Sequence, residues 1–152
     1  MKSAFSLVAA LFVILSIAPA LAVEEDGGDS PEMPLMEAGD ITLEQFKWEN
    51  RLIVVFADSP LDPSFRQQME KLREDVPALL VRDVVVLTDT NPEGKSSLRQ
   101  KLRPRGFGLV LIGKDGQVKL RKPAPWDMRE ISRSIDKWPI RQQEIREDLG
   151  KD

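Results

Sequence analysis

Leu109-Val110-Leu111-Ile112-Gly113-Lys114-Asp115-Gly116-Gln117-Val118-Lys119-Leu120-Arg121 reads as two strands joined by a tight turn. Its first four residues form a continuous apolar run of the kind buried on both faces of a sheet. Gly113-Lys114-Asp115-Gly116 supplies the turn, and the chain returns antiparallel with Val118 and Leu120 on one side and Lys119 and Arg121 on the other. Charges on such a terminal strand protect a sheet edge, and they are also candidates for holding a ligand.

Working outward, Leu52-Ile53-Val54-Val55-Phe56-Ala57 and Val84-Val85-Val86-Leu87 are two further buried-strand runs. Between them, Asp58 to Pro63 is a proline-rich loop. Asp62 is placed to cap a helix with Pro63 at its first position, and Phe65, Met69, Leu72 and Val76 form one stripe that Pro77 ends. Asn91 to Gly94 turns, and Ser96 or Ser97 starts a short helix carrying Leu98 and Leu102. After the hairpin, Asp127 caps a helix with Met128, Ile131, Ile135 and Trp138 in register, and Pro139 bends or ends it. A charged helix from Arg141 to Leu149 follows, with only Ile145 and Leu149 to bury. Ahead of the first strand, Thr42 and Gln45 resemble a capping box for a short helix reaching Trp48. Crossover helices imply parallel strands, and the hairpin adds an antiparallel one. The expected architecture is α/β and thioredoxin-like: a mixed four-stranded sheet flanked by helices, over residues 41–149.

The first 22 residues have the composition of a secretory signal peptide. Lys2 precedes an apolar run, and Ala20 and Ala22 stand at the two small positions of a cleavage site after about Ala22. The run is shorter than the roughly 20 residues of a spanning helix, and no later stretch is long and apolar enough to cross a bilayer. The expected location is periplasmic or secreted. Residues 23–40 hold seven acids and no base, with Gly27-Gly28, Pro31 and Pro34, and read as a disordered acidic arm. From Ile41 onward, 21 bases face 18 acids, so the body is formally basic.

The chain contains no cysteine and no histidine. That excludes a disulfide, a thiolate zinc site, a thiol nucleophile and an imidazole base from this chain. No cofactor motif and no metal-ligand set is present. Asp58 and Asp62 are the carboxylates in the loop where such a fold works, but turn and cap roles account for both. Ser59 and Ser64 have no imidazole to activate them.

Lys95, Arg99, Lys101, Arg103 and Arg105 are five bases within eleven residues, with no acid between Gly94 and Lys114. The run suits a solvated face or a polyanion. Nucleic acid is not expected, because the run has no aromatic residue on which bases would stack. The last helix, with Arg141, Gln142, Gln143 and Arg146, is either solvent-facing or docks on a partner through Ile140, Ile145 and Leu149. Met33, Leu35 and Met36 in the arm are apolar enough to dock in a groove.

Val55-Phe56-Ala57-Asp58 resembles the strand leading into the thioredoxin active loop, and Gly106-Phe107-Gly108 with Leu109 to Gly116 resembles a later segment of that family. The resemblance puts the two redox cysteines at Pro60 and Pro63 and the cis-proline at Gly108, so both halves of the redox site are replaced. More specifically, Trp48-Glu49-Asn50-Arg51, Leu111 to Gly116 with Val118 to Arg121, and Trp138-Pro139-Ile140-Arg141-Gln142-Gln143-Glu144-Ile145-Arg146 resemble the domain of unknown function 4174 family. That is a family of short, exported, thioredoxin-like bacterial proteins, related to a domain of some animal extracellular-matrix proteins. It implies a fold and carries no activity. The resulting expectation is a non-catalytic binding module for a periplasmic or extracellular protein or an anionic surface. Lys119, Arg121, Arg141, Arg146, Arg99, Arg103 and Arg105 are its candidate contacts. The alternative is a cell-envelope enzyme working with carboxylates, lysine or arginine.

Overall fold

A computed structural model describes residues 30–150. The expected signal peptide, and the first part of the acidic arm, lie outside the described residues.

Five strands, β1 (Leu35–Glu37), β2 (Arg51–Phe56), β3 (Val84–Asp89), β4 (Gly108–Ile112) and β5 (Val118–Lys122), form one mixed sheet in the order β1-β3-β2-β4-β5. β1 and β2 run parallel to β3, whereas β4 is antiparallel to both β2 and β5. The sheet therefore has one strand more than the sequence led us to expect. The extra strand comes from the segment read as a disordered arm, whose end joins the sheet edge. β1 shows no strand pattern because its side chains are exposed. Main-chain bonds hold it: Val86 N–H donates to Pro34 O and Ala38 N–H to Thr88 O, both at 2.8 Å. Met33 packs on the core and Ala38 is buried, while Leu35 and Met36 stay exposed.

β2 is buried along its whole length because both of its faces are covered. On one face Ile53 and Val55 pack with Leu109 and Leu111 against helices α1 (Pro63–Arg73), α2 (Val76–Leu80) and α4 (Met128–Asp136). On the other, Leu52, Val54 and Phe56 pack with Val110 and Ile112 against α3 (Ser97–Leu102) and a single 3-10 turn, Leu43–Phe46. That turn is shorter than the helix expected to reach Trp48, which instead sits at φ 71°.

Asp62 caps α1 as expected, its carboxylate accepting from Ser64 N–H at 2.8 Å and Phe65 N–H at 3.1 Å, with Pro63 in the first turn. Pro77 does not end that helix. α1 stops at Arg73, Asp75 accepts from Ala78 N–H at 3.0 Å, and Pro77 lies in the first turn of α2, where a missing N–H costs nothing. Ser96 caps α3 through Arg99 N–H. Asp127 makes no cap bond; its carboxylate pairs with Lys71. α5 (Pro139–Leu149) is the last described element and has no buried residue. No helix among the described residues is long and apolar enough to cross a membrane.

The hairpin carries a bulge. Leu111 pairs with Leu120, but Ile112 pairs with Val118, so the register shifts between them. A bulge re-aims the side chains beyond it. Val118 thus lines a recess with Arg121, Leu43 and Leu102 on the α3 face, while Lys119 lines another with Trp138, Pro139 and Ile140. The strict alternation expected from the sequence, Lys119 with Arg121 and opposite Val118, fails for this reason. Gly116 makes the turn at φ 77°, a region that other residues rarely enter.

Candidate functional site

The carboxyl ends of β2 and β3 are where the resemblance places a redox site, and here structural bonds occupy them. Asp62 is committed to its helix, Ser59 Oγ accepts from Leu61 N–H at 3.1 Å, and Asp58 is exposed. Behind this loop, Asp89 and Arg99 close the strand ends. Arg99 Nε donates to Asp89 Oδ1 at 2.8 Å, and its Nη2 donates to Ala57 O and Asp89 O. Ser96 Oγ donates to Asp89 Oδ2, and Asn91 N–H to Asp89 Oδ1 at 3.1 Å. The guanidinium also lies 5.5 Å from the Phe56 ring centre. Arg99 is therefore internal and does not belong to the ligand patch the sequence suggested. Leu98 and Leu102 turn into the core, which aims Arg99 at a carboxylate that burial requires to be paired.

The amino ends of β2 and β3 hold a second ionic cluster. Arg51, only 2% exposed, donates to Arg82 O at 2.9 Å and to Glu144 Oε2 at 3.0 Å. Lys114 bridges Glu144 at 2.9 Å and Asp83 at 2.8 Å. Arg82 holds Asp136 through two bonds, at 2.9 and 2.8 Å. Arg141 reaches Glu144 at 3.3 Å and Asp136 at 3.5 Å. Burial raises the Glu144 carboxyl, but the bonds from Lys114 and Arg51 outweigh it and hold its pKa below the ordinary range. The Arg82 bonds, working against burial, hold Asp136 down as well. Lys114 is held above its usual value, because Asp83 and Glu144 more than offset its burial. Arg141, one of the candidates, is accordingly engaged in fastening α5 to the body. An ionic partner leaves no period in the sequence from which it could be foreseen.

The remaining candidates divide by place. Lys119 is paired with Asp115 at 2.7 Å beside the hairpin turn. Arg146 is exposed on α5 with no ion pair among the described residues. Arg103 and Arg105, exposed, follow α3, and Arg121 Nη1 donates to Leu102 O at 2.8 Å, which sets it against the end of that helix. Among the described residues no carboxylate pairs with Arg103, Arg105 or Arg121. Arg121, though neither Arg103 nor Arg105, lines a recess of about 470 Å³ with Leu43, Leu102, Val118, Lys47 and Lys101, and with Glu44 and Asp115 as its acids. Those acids face Lys101 and Lys119 respectively. Two basic residues were missed: Lys47, which lines this recess, and Lys122, on the opposite face of β5, whose ammonium lies 4.6 Å from the Trp126 ring centre. Lys122 directly follows Arg121 in sequence, which was the available signal. Asp58, Asp62, Lys119 and Arg121 do not converge, since they are divided among the loop, a helix cap, the hairpin turn and the α3 face.

These features define a domain of thioredoxin-like fold, in which Pro60, Pro63 and Gly108 stand where the resemblance puts the redox residues. Comparison with solved structures agrees on the fold. The chain is similar to a reduced 2-Cys peroxiredoxin of Plasmodium vivax at a TM-score of 0.55, with 16% identity over 68% of this chain and 85% of that one. It is similar also to an exposed thioredoxin lipoprotein of Streptococcus pneumoniae at 0.50, with 16% identity over 63% and 90%. Residues 42–144 match the family described as Domain of unknown function (DUF4174), and the chain belongs to that family. A coiled-coil domain-containing protein 80 of Danio rerio is 30% identical over 140 residues, covering 71% of this chain; the match spans 16% of that longer protein.

Proposed function

We propose that this chain is a non-catalytic, exported binding module that recognises an anionic partner through the flank formed by the end of α3 and by β5. The carrying observation is the Arg121–Leu102 bond, which sets Arg121 of β5 against the end of α3, where Arg103 and Arg105 follow. Their charges have no carboxylate partner among the described residues, so an incoming anion need not displace one. Support also comes from the opposite direction: the loop of Pro60 and Pro63 carries no thiol, and Asp62 and Asp89 are committed to structural bonds. Export rests on the composition of residues 1–22, and cleavage there gives a chain starting near Val23.

The test is salt elution from immobilised heparin. Replacing Arg103, Arg105 and Arg121 by Gln lowers the eluting salt concentration and reduces the slope of log affinity against log salt by about 2 to 3. Unchanged elution overturns the proposal. N-terminal sequencing of the protein recovered after expression of the full chain checks export, and a retained leader in the cytosol refutes it.

A further inference from the structure

β5 ends the sheet, with β4 on one side and, among the described residues, no strand on the other. Beyond the bulge at Lys119, Leu120, Arg121 and Lys122 alternate, pairing with Leu111, Val110 and Leu109 of β4. Val118 is 40% exposed, Leu120 is half-buried, and Lys119, Arg121 and Lys122 put three cations on five residues. Two copies of this strand laid edge to edge would oppose cation to cation, which disfavours pairing. The same charges favour a strand of opposite sign. Lys119 is already matched by Asp115, whereas Arg121 and Lys122 have no carboxylate among the described residues.

Resting on the binding role proposed above, we infer that the outer edge of β5 takes an extended acidic peptide as a sixth strand of the sheet. Main-chain hydrogen bonds supply the register-independent part of such binding, and the side chains on alternate faces supply the selection. On one face an acidic side chain meets Arg121, which its bond to the Leu102 carbonyl sets beside the end of α3. On the other, an apolar side chain lies beside Leu120, which packs on the core below Leu109 and Leu111. A peptide alternating acidic and apolar residues satisfies both faces at once. A sulfated polysaccharide matches the charge but has no strand to add.

The experiment uses the full mature chain and a blocked octapeptide of alternating Val and Glu. A second peptide of identical sequence and charge is N-methylated at alternate residues, which removes its main-chain donors along one edge. We expect saturable binding of the first, binding of the second weaker by about tenfold, and slowed amide exchange at residues 118–122 when the first is bound. Arg121→Gln with Lys122→Gln lowers affinity for the unmodified peptide. Equal binding of the two peptides, or binding without protection in β5, overturns strand addition. If heparin is retained while neither peptide binds, the anionic-binding role stands and this inference falls. If neither heparin nor peptide binds, both fall. A chain that dimerises with β5 protected before any peptide is added also overturns it.

Discussion

α4 and α5 follow each other with two residues between them and are fastened to the same body by opposite means. α4 turns Met128, Ile131 and Ile135 into the core, all three at most 4% exposed. α5 buries no residue; Glu144 holds it to Arg51 and Lys114, and Arg141 and Gln142 hold it to Asp136 and the Asp136 carbonyl. Apolar contacts attach α4 without regard to charge. Attachment through half-buried ions depends on each partner remaining, and remaining ionised. A helix can thus be well placed and still be conditionally held.

Removing Glu144 makes the strongest test of this contrast. Glu144→Leu strands Arg51, a buried guanidinium, and is expected to cost about 3–5 kcal/mol in urea unfolding. A loss under about 1 kcal/mol would mean that the cluster is decorative. Ile131→Ala should cost about 2–5 kcal/mol through the cavity it leaves. The two variants part on salt: adding 1 M sodium chloride should narrow the gap between wild type and Glu144→Leu but leave the Ile131→Ala deficit in place.

Acid gives a gentler separation. The Glu144 and Asp136 carboxyls sit below their ordinary values of 4.5 and 3.8, so the folded state holds fewer protons than the unfolded chain. Their contribution is complete above those ordinary values and drains away as pH falls through the folded ones. Amide protection factors should therefore fall in α5 before α4 as pH is lowered below about 4. Lys114 works the other way, its contribution fading only as pH rises beyond its ordinary 10.5. Simultaneous loss of protection in both helices would show that they open as one unit.

The same contrast explains what could be read from the chain alone. The stripe of Met128, Ile131 and Ile135 has helical spacing, so α4 was legible, as were the core strands and the cap at Asp62, while the start of α3 stayed open between Ser96 and Ser97. For α5 the reading stayed open between solvent and partner. Its true partners, Arg51 and Lys114, lie 93 and 30 residues away and leave no trace in its own periodicity. β1 escaped for a related reason: a three-residue strand held by carbonyl and amide groups need have no particular side chains. The candidate surface was half legible. Arg103, Arg105 and Arg121 stood out by charge, but composition cannot separate them from Arg99 and Arg141, which the fold turns onto Asp89, Asp136 and Glu144.

The ammonium of Lys122 resting over Trp126 has an optical consequence. The chain has three tryptophans and no tyrosine. Trp126 packs on the core beneath Lys122, Trp138 stands at the start of α5, and Trp48 in solvent. Anything that draws Lys122 off its ring changes the light emitted by Trp126, while release of α5 changes that of Trp138. With the other two indoles replaced by phenylalanine, each site reports its own occupancy without an added dye.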